Sequence, residues 1–159
     1  MGQPTQKSRV DLALVALSSS LLVGIYQKGR LVQKIQTAQK TSEALPVIFK
    51  NILAKYEVER VYFAKGPGSF MSIKLVYIFL KTLQIAKGIE LFGCEAFAFN
   101  QNAPIKAFGN LYFVKENGKI VTKKFDVPPN SRFVLPKRLK ELECSDDISP
   151  LYILPAVKG

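Results

Sequence analysis

Histidine and tryptophan are absent from this sequence, and cysteine occurs only twice in 159 residues. The lack of histidine removes the commonest general base and the commonest metal ligand together. That excludes Ser-His-Asp triads, Cys-His pairs and His-supported hydrolysis. Cys94 and Cys144 form no CxxC and no spacing that could build a zinc site, so the expectation is a reducing cytosol and a metal-free fold held without covalent staples. Acidic residues are scarce as well, 12 against 23 basic ones, for a net charge of +11. Such a balance suits nucleic acid, because cations that neutralise phosphates release counterions. It also suits a solvated basic surface matched to an acidic protein partner, and both readings stand. The basic residues are spread along the chain; the densest group is Lys137, Arg138 and Lys140, and no aromatic residues interleave with it as a stacking platform would require.

Long apolar runs are few. Residues 10–26, VDLALVALSSSLLVGIY, follow Lys7 and Arg9 and superficially resemble a signal peptide. Asp11 at the start, the three serines and the lack of a small-x-small site argue against cleavage, and the run is short for a spanning helix. Two β-strands with a turn at Ser18-Ser19-Ser20 account for it, and no membrane association is expected.

Residues 10–17, 21–26 and 31–37 read as three successive strands, the last two joined by Gln27-Lys28-Gly29-Arg30 with Gly29 supplying a positive φ. Residues 41–56 follow as a helix, with Leu45, Ile48, Ile52 and Tyr56 at helical spacing and Pro46 in the first turn. A strand at 60–64 enters Gly66-Pro67-Gly68, Ser69 caps a helix running to Lys87, and Gly88 stops it. Then come a strand at 89–94 and a short helix at 95–100. Strands at 111–114 and 120–125 flank Glu116-Asn117-Gly118-Lys119, a strong hairpin signal, and a proline-rich tail holds one short helical stretch at 136–143. The order is that of an α/β domain with a mixed sheet, and the second part is too small to close a core of its own.

The stretch AKGPGSFMSIKLVYIFLK is the most informative. On a wheel, Leu75, Val76, Phe79, Leu83 and Ala86 form one apolar side. Phe70, Met71, Tyr77, Ile78 and Ile85 form much of the other, interrupted only by Lys74 and Lys81. A helix lying on one sheet needs a single stripe, so this one is expected to be covered twice, by the sheet and by a partner. Val47 and Phe49 on the preceding helix extend the second patch, which makes the pair an interaction site. A phosphate-gripping reading of the Gly-Pro-Gly turn, with Lys65 nearby, lacks both the Walker and the dinucleotide patterns, and Pro67 removes a donor.

GPGSF leading into a helix resembles the GPGSFTGLR signature of the TsaB family, also called YeaZ. LALVALSSSLLVGIYQKG is similar to that family's opening meander, SEALPVIFKNIL to its first helix, FGNLYFVKENGKI to its hairpin segment and SPLYILPAVK to its closing element. The specific part is Gly66, Pro67, Gly68, Ser69 and Phe70. The resemblance implies an actin-like, ribonuclease-H-like α/β domain with a mixed sheet. Residues 1–9 would be a flexible N-terminal extension, 10–103 the actin-like lobe, and 104–159 a reduced second lobe with a large deletion between about Phe125 and Ser149.

The function implied is that of a non-catalytic subunit in bacterial synthesis of threonylcarbamoyladenosine beside the tRNA anticodon. Such a subunit pairs with a TsaD-like paralogue that carries the chemistry, helps recruit a TsaE-like ATPase, can form homodimers, and touches tRNA at most indirectly. The family's pairing surface corresponds here to the two helices, with Leu45, Ile48, Phe49, Ile52, Phe70, Met71, Lys74, Tyr77, Ile78, Lys81 and Ile85 as interface residues. No catalytic residue, cofactor or metal ligand is assigned. Met71, Ser72 and Lys74 replace the signature's Thr, Gly and Arg, and bulky Val76, Tyr77 and Phe79 should widen the helix contact. Val15 or Leu17 stands where actin-like ATPases keep a phosphate-side Asp. Asp11, Asp126, Asp146 and Asp147 follow no Mg²⁺-binding pattern, which argues against a nucleotide-dependent enzyme.

Overall fold

The computed structural model describes residues 6–17 and 20–153. Its strands and helices are β1 (Ser8–Val15), β2 (Leu21–Gln27), β3 (Arg30–Thr37), α1 (Thr41–Lys55), β4 (Tyr56–Ala64), α2 (Phe70–Lys87), β5 (Glu90–Cys94), β6 (Ile105–Phe108), β7 (Leu111–Glu116), β8 (Lys119–Lys124) and β9 (Cys144–Ser145). Short 3₁₀ turns lie at Ala96–Phe99 and Leu139–Glu141. Six strands form one sheet in the order β3-β2-β1-β4-β5-β9, with β1, β4 and β5 mutually parallel and the other pairs antiparallel. A second, three-stranded antiparallel sheet runs β6-β7-β8. The mixed α/β architecture expected from the order of elements is therefore present.

The meander forms because each turn has the right residue. Lys28 and Gly29 both take positive φ, as do Asn117 and Gly118 in the second hairpin, so both are two-residue turns that match strand twist. The Ser18-Ser19 part of the expected serine turn lies outside the described residues. Strand β1 is apolar on both faces because both are covered. Val10, Leu12 and Leu14 pack with Leu45, Phe49, Ile52, Val76 and Leu80 on the helix side. Ala13 and Val15 pack with Tyr26, Phe97, Phe99, Ile105, Phe113 and Leu135 on the other. The 3₁₀ turn at Ala96–Phe99 and residues beyond 104 build this second layer together, on the same sheet.

Several boundaries differ from the sequence reading. Strand β1 begins at Ser8 and Lys7 donates to the Leu53 carbonyl, both inside the extension expected over 1–9, whose residues 1–5 lie outside the described residues. Strand β4 starts at Tyr56, taking over the last residue assigned to the helix, because Ser8 pairs with Tyr56 along β1. Strands β6 and β9 have no counterpart in the sequence reading. Each is short and gains its place only from a long-range partner, β7 and β5 respectively. The largest correction is covalent: Cys94 and Cys144 are joined in a disulfide, which staples β9 to β5.

The chain after β8 crosses the sheet from one edge to the other. At the β3 edge Arg30 and Arg138 form an antiparallel bridge, Leu135 and Leu139 are buried beneath, and at the β5 edge β9 adds its two residues. The Tyr26 hydroxyl, fully buried, donates to the Pro136 carbonyl at 2.6 Å, and burial raises its pKa far above the phenolic range, with Glu141 adding to the effect. Tyr26→Phe should leave that carbonyl unpaired and cost about 1–3 kcal/mol. A urea midpoint lowered at unchanged slope is the expected reading.

Candidate partner-docking face

The candidate site is the outward side of α1 and α2. Helix α2 starts where Ser69 Oγ accepts the Ser72 amide, and ends at Gly88 in the left-handed region, both as the spacing predicts. Its fully buried stripe is Ile73, Val76 and Leu80, with Leu75, Phe79 and Leu83 half-buried beside it. Ile73 and Leu80 thus replace Ala86, which is exposed, in the inward set. The stripe shifts because α2 contacts both layers: Ile73 reaches the second core while Val76 and Leu80 lie on the first.

On the other side the apolar residues face outward as expected. Met71 is 80% exposed, Ile85 83%, Ile78 53% and Phe70 41%, with Val47 of α1 at 58%. Tyr77 and Lys81 are half-buried, Lys74 is exposed, and the Lys81 ammonium donates to Gln84 at 2.8 Å. A shallow groove of about 500 Å³ runs between the helices, walled by Pro46, Met71, Lys74, Leu75 and Ile78. Phe79 forms its floor, held edge-on against Phe49 with ring centroids 5.1 Å apart. Pro46 and Thr82 at the rim fall outside the interface expected from sequence; Pro46 on the outer side of α1 was the available signal.

Not every expected interface residue belongs there. Leu45, Phe49 and Ile52 are buried in the core under α1, at 0%, 1% and 3% exposure, and cannot meet a partner. Ile48 is half-buried and packs at the core margin. The helical spacing that selects them is the core stripe of α1 itself, so the face turned to solvent is the complementary one, carrying Pro46 and Val47. Electrically the face is cationic: α2 contains no acidic residue, and Lys74 and Lys81 flank its apolar part.

The signature turn lies at one end of this face and is covered. Gly66, Pro67 and Gly68 are buried, Leu17 lies against Gly68, and the segment 147–152 passes over Gly66. Leu151 donates its amide to the Lys65 carbonyl at 2.9 Å, and the Phe70 ring meets Tyr152 edge-on at 5.0 Å. The Lys65 ammonium, the cation of the phosphate reading, donates instead to the Asp147 carbonyl at 3.0 Å and lies 3.8 Å from its carboxylate. Hydrogen bonds from Ser149 and the nearby Lys65 hold the Asp147 carboxyl below its usual range. Asp11 pairs with Arg60 at 3.6 Å, its pKa raised by burial and only partly restored by that guanidinium. Among the described residues no group of three or more Cys, Asp or Glu side chains could hold a metal ion. No helix among them is long and apolar enough to cross a membrane.

No protein-family model and no curated protein matches the sequence. Two solved structures from Pseudomonas aeruginosa are similar to the fold. One is described as an uncharacterized protein with similarity to peptidase YeaZ: TM-score 0.56, 16% identity, 74% of this chain aligned with 64% of that one. The other is YeaZ, with TM-score 0.58, 16% identity, and 80% of this chain aligned with 70% of that one. The chain thus spans just under two thirds of the first neighbour, and what the two share with it is the α/β arrangement described above: the protein has a YeaZ-like fold.

Proposed function

We propose that this protein is a divergent TsaB-type scaffold, a non-catalytic subunit of a bacterial tRNA threonylcarbamoyladenosine-modification complex with a reduced second lobe, working in the cytoplasm. It pairs through the outward face of α1 and α2 with a TsaD-like subunit that carries the chemistry, and the pair is joined by a TsaE-like ATPase. The observation that carries this reading is the apolar groove between the two helices, open to solvent on a YeaZ-like fold and lined by Met71, Leu75 and Ile78. The same face could pair two copies of the chain, since a two-helix patch can be self-complementary. The GPGSF turn supports the face from below, by setting where α2 begins.

Mixing the protein with a TsaD-like protein from the same organism and measuring mass by light scattering after size exclusion tests this. A one-to-one complex is expected. Because Ile78 is 53% exposed, Ile78→Arg should leave the monomer folded, yet weaken the complex at least about 100-fold by burying an unpaired charge in the contact. Pairing that survives Ile78→Arg, or a failure to pair at all, would remove the scaffold reading. Homodimerisation lost by the same substitution would assign the face to self-association.

A further inference from the structure

The tertiary structure gathers cations that the sequence scatters. Arg30 leads into β3 just after the β2–β3 turn, more than a hundred residues before Arg138, yet the two are partners in an antiparallel bridge. Leu31 donates its amide to the Lys137 carbonyl and Leu139 donates to the Gly29 carbonyl, each at 2.9 Å. Those two bonds flank the Arg30–Arg138 pair and leave it without direct hydrogen bonds, the geometry that brings opposed side chains closest, with Cα atoms about 4.5 Å apart. Like charges directly opposite one another on paired strands are destabilising. Here no ion pair offsets the repulsion: among the described residues none of Lys28, Arg30, Lys137, Arg138 and Lys140 forms one, although Arg9 and Arg60 next to this region are matched by Glu57, Glu59, Asp11 and Glu90. All five unmatched cations are exposed. Glu141 and Glu143 beside the crossing segment are exposed, Glu141 near enough to raise the Tyr26 pKa, and Asp11 and Glu59, which share a hollow with Lys28 and Arg30, are paired with Arg9 and Arg60.

We propose that this patch, Lys28 and Arg30 on the hairpin with Lys137, Arg138 and Lys140 on the crossing segment, binds the phosphate backbone of a double-helical nucleic acid, for which a short RNA duplex is the probe. Two adjacent guanidiniums present forked donors to phosphate oxygens, and an incoming phosphate relieves their mutual repulsion. Tyr26, Leu135 and Leu139 beneath the patch are buried, and the exposed apolar residues at its margin, Val32 and Val134, are two short side chains without an aromatic or leucine anchor, which favours a polyanion in water over a lipid surface. No exposed aromatic residue belongs to the patch, so the contact reads charge and spacing and is indifferent to sequence. The patch includes none of the α1 and α2 residues, so this inference does not depend on the pairing reading.

The test measures fluorescence anisotropy of a short labelled RNA duplex over a range of salt concentrations, with the full-length protein. Arg30→Ser/Arg138→Ser should weaken binding at least about tenfold at low salt. It should also lower the log–log salt slope by roughly 1.4–1.8, since two phosphates would no longer be neutralised. Arg30→Lys/Arg138→Lys should restore most of the slope. The control Lys119→Ser/Lys124→Ser removes the same charge from exposed positions on β8 and should change little. Equal weakening in both pairs would mean diffuse net charge, and no binding at low salt would mean no site; either overturns the proposal. So would Arg30- and Arg138-dependent binding to phosphatidylserine vesicles that is tighter than binding to the duplex. Pairing measured by light scattering should be unaffected by the arginine substitutions.

Discussion

Gly66→Ala is expected to destabilise the protein by about 2–4 kcal/mol and lower its Tm by roughly 5–15 °C, a large effect for one methyl group. Gly66 has φ of +129°, a region almost closed to residues with a Cβ. Its missing side chain is also where the Leu151 carbonyl and Cβ pass, and the Ile73 side chain closes the same space. An alanine must push the crossing segment away, breaking the Leu151–Lys65 backbone bond and withdrawing Tyr152 from Phe70. Both effects act on the folded state. The first glycine of the signature is therefore explained by a steric demand from a segment 85 residues later, with no phosphate in the account. Thermal unfolding with hydrogen exchange at the Leu151 amide checks it: faster exchange there should accompany the lower Tm. An unchanged Tm would mean that the segment does not lie over the turn in solution.

Cys144→Ser should cost about 4 kcal/mol, the chain-entropy value for a closed loop with a sequence separation of 50, and about 8–16 °C in Tm. Cys144 is the better site for substitution because it is half-buried, whereas Cys94 is in the core and a serine there would add the cost of a buried hydroxyl. The bond closes a short contact that would otherwise rest on two residue pairs between β5 and β9, Gly93 with Ser145 and Cys94 with Cys144. Adding a strong reductant to the native protein should reproduce the destabilisation, and adding it to Cys144→Ser should change nothing further. The expectation of a reducing cytosol rests on a fold without staples, and the disulfide removes that support. In a reducing compartment the thiols would be free, so the reductant measurement gives the stability the fold has there. Equal Tm values for native, reduced and substituted protein would show that the staple carries no stability.

The two substitutions act on one structure, the segment from Cys144 to Tyr152. Asp147 anchors its middle through Lys65, and Gly93 makes room for it, since a Cβ there would meet the Asp147 carbonyl at 2.7 Å. In sequence this segment is part of an irregular proline-rich tail, and nothing local announces its path. Its contacts include Lys65, Gly66, Phe70, Gly93 and Cys94, all at least fifty residues away. The docking face shows the opposite case. Met71, Ile78 and Ile85 could be placed on the outer side of α2 from spacing alone, since helical periodicity is local. Leu45, Phe49 and Ile52 satisfy the same periodicity on α1 and are in the core. A wheel identifies a stripe but does not say whether the sheet or the solvent lies beneath it.

What the sequence determined by itself was the local grammar: the meander and its Lys28-Gly29 turn, the Asn117-Gly118 hairpin, the two helices with Ser69 and Gly88 at the ends of the second, and the exclusion of histidine chemistry. Each rests on backbone preferences or side-chain periodicity within a few residues. The tertiary structure alone decided which stripe of α1 faces inward, that Cys94 meets Cys144, that Gly66 is covered by Leu151, and that Arg30 and Arg138 sit side by side. Those are pairings between distant residues, chosen by the competition of all segments for the same sheet edges and the same core, and no local pattern encodes the outcome of that competition.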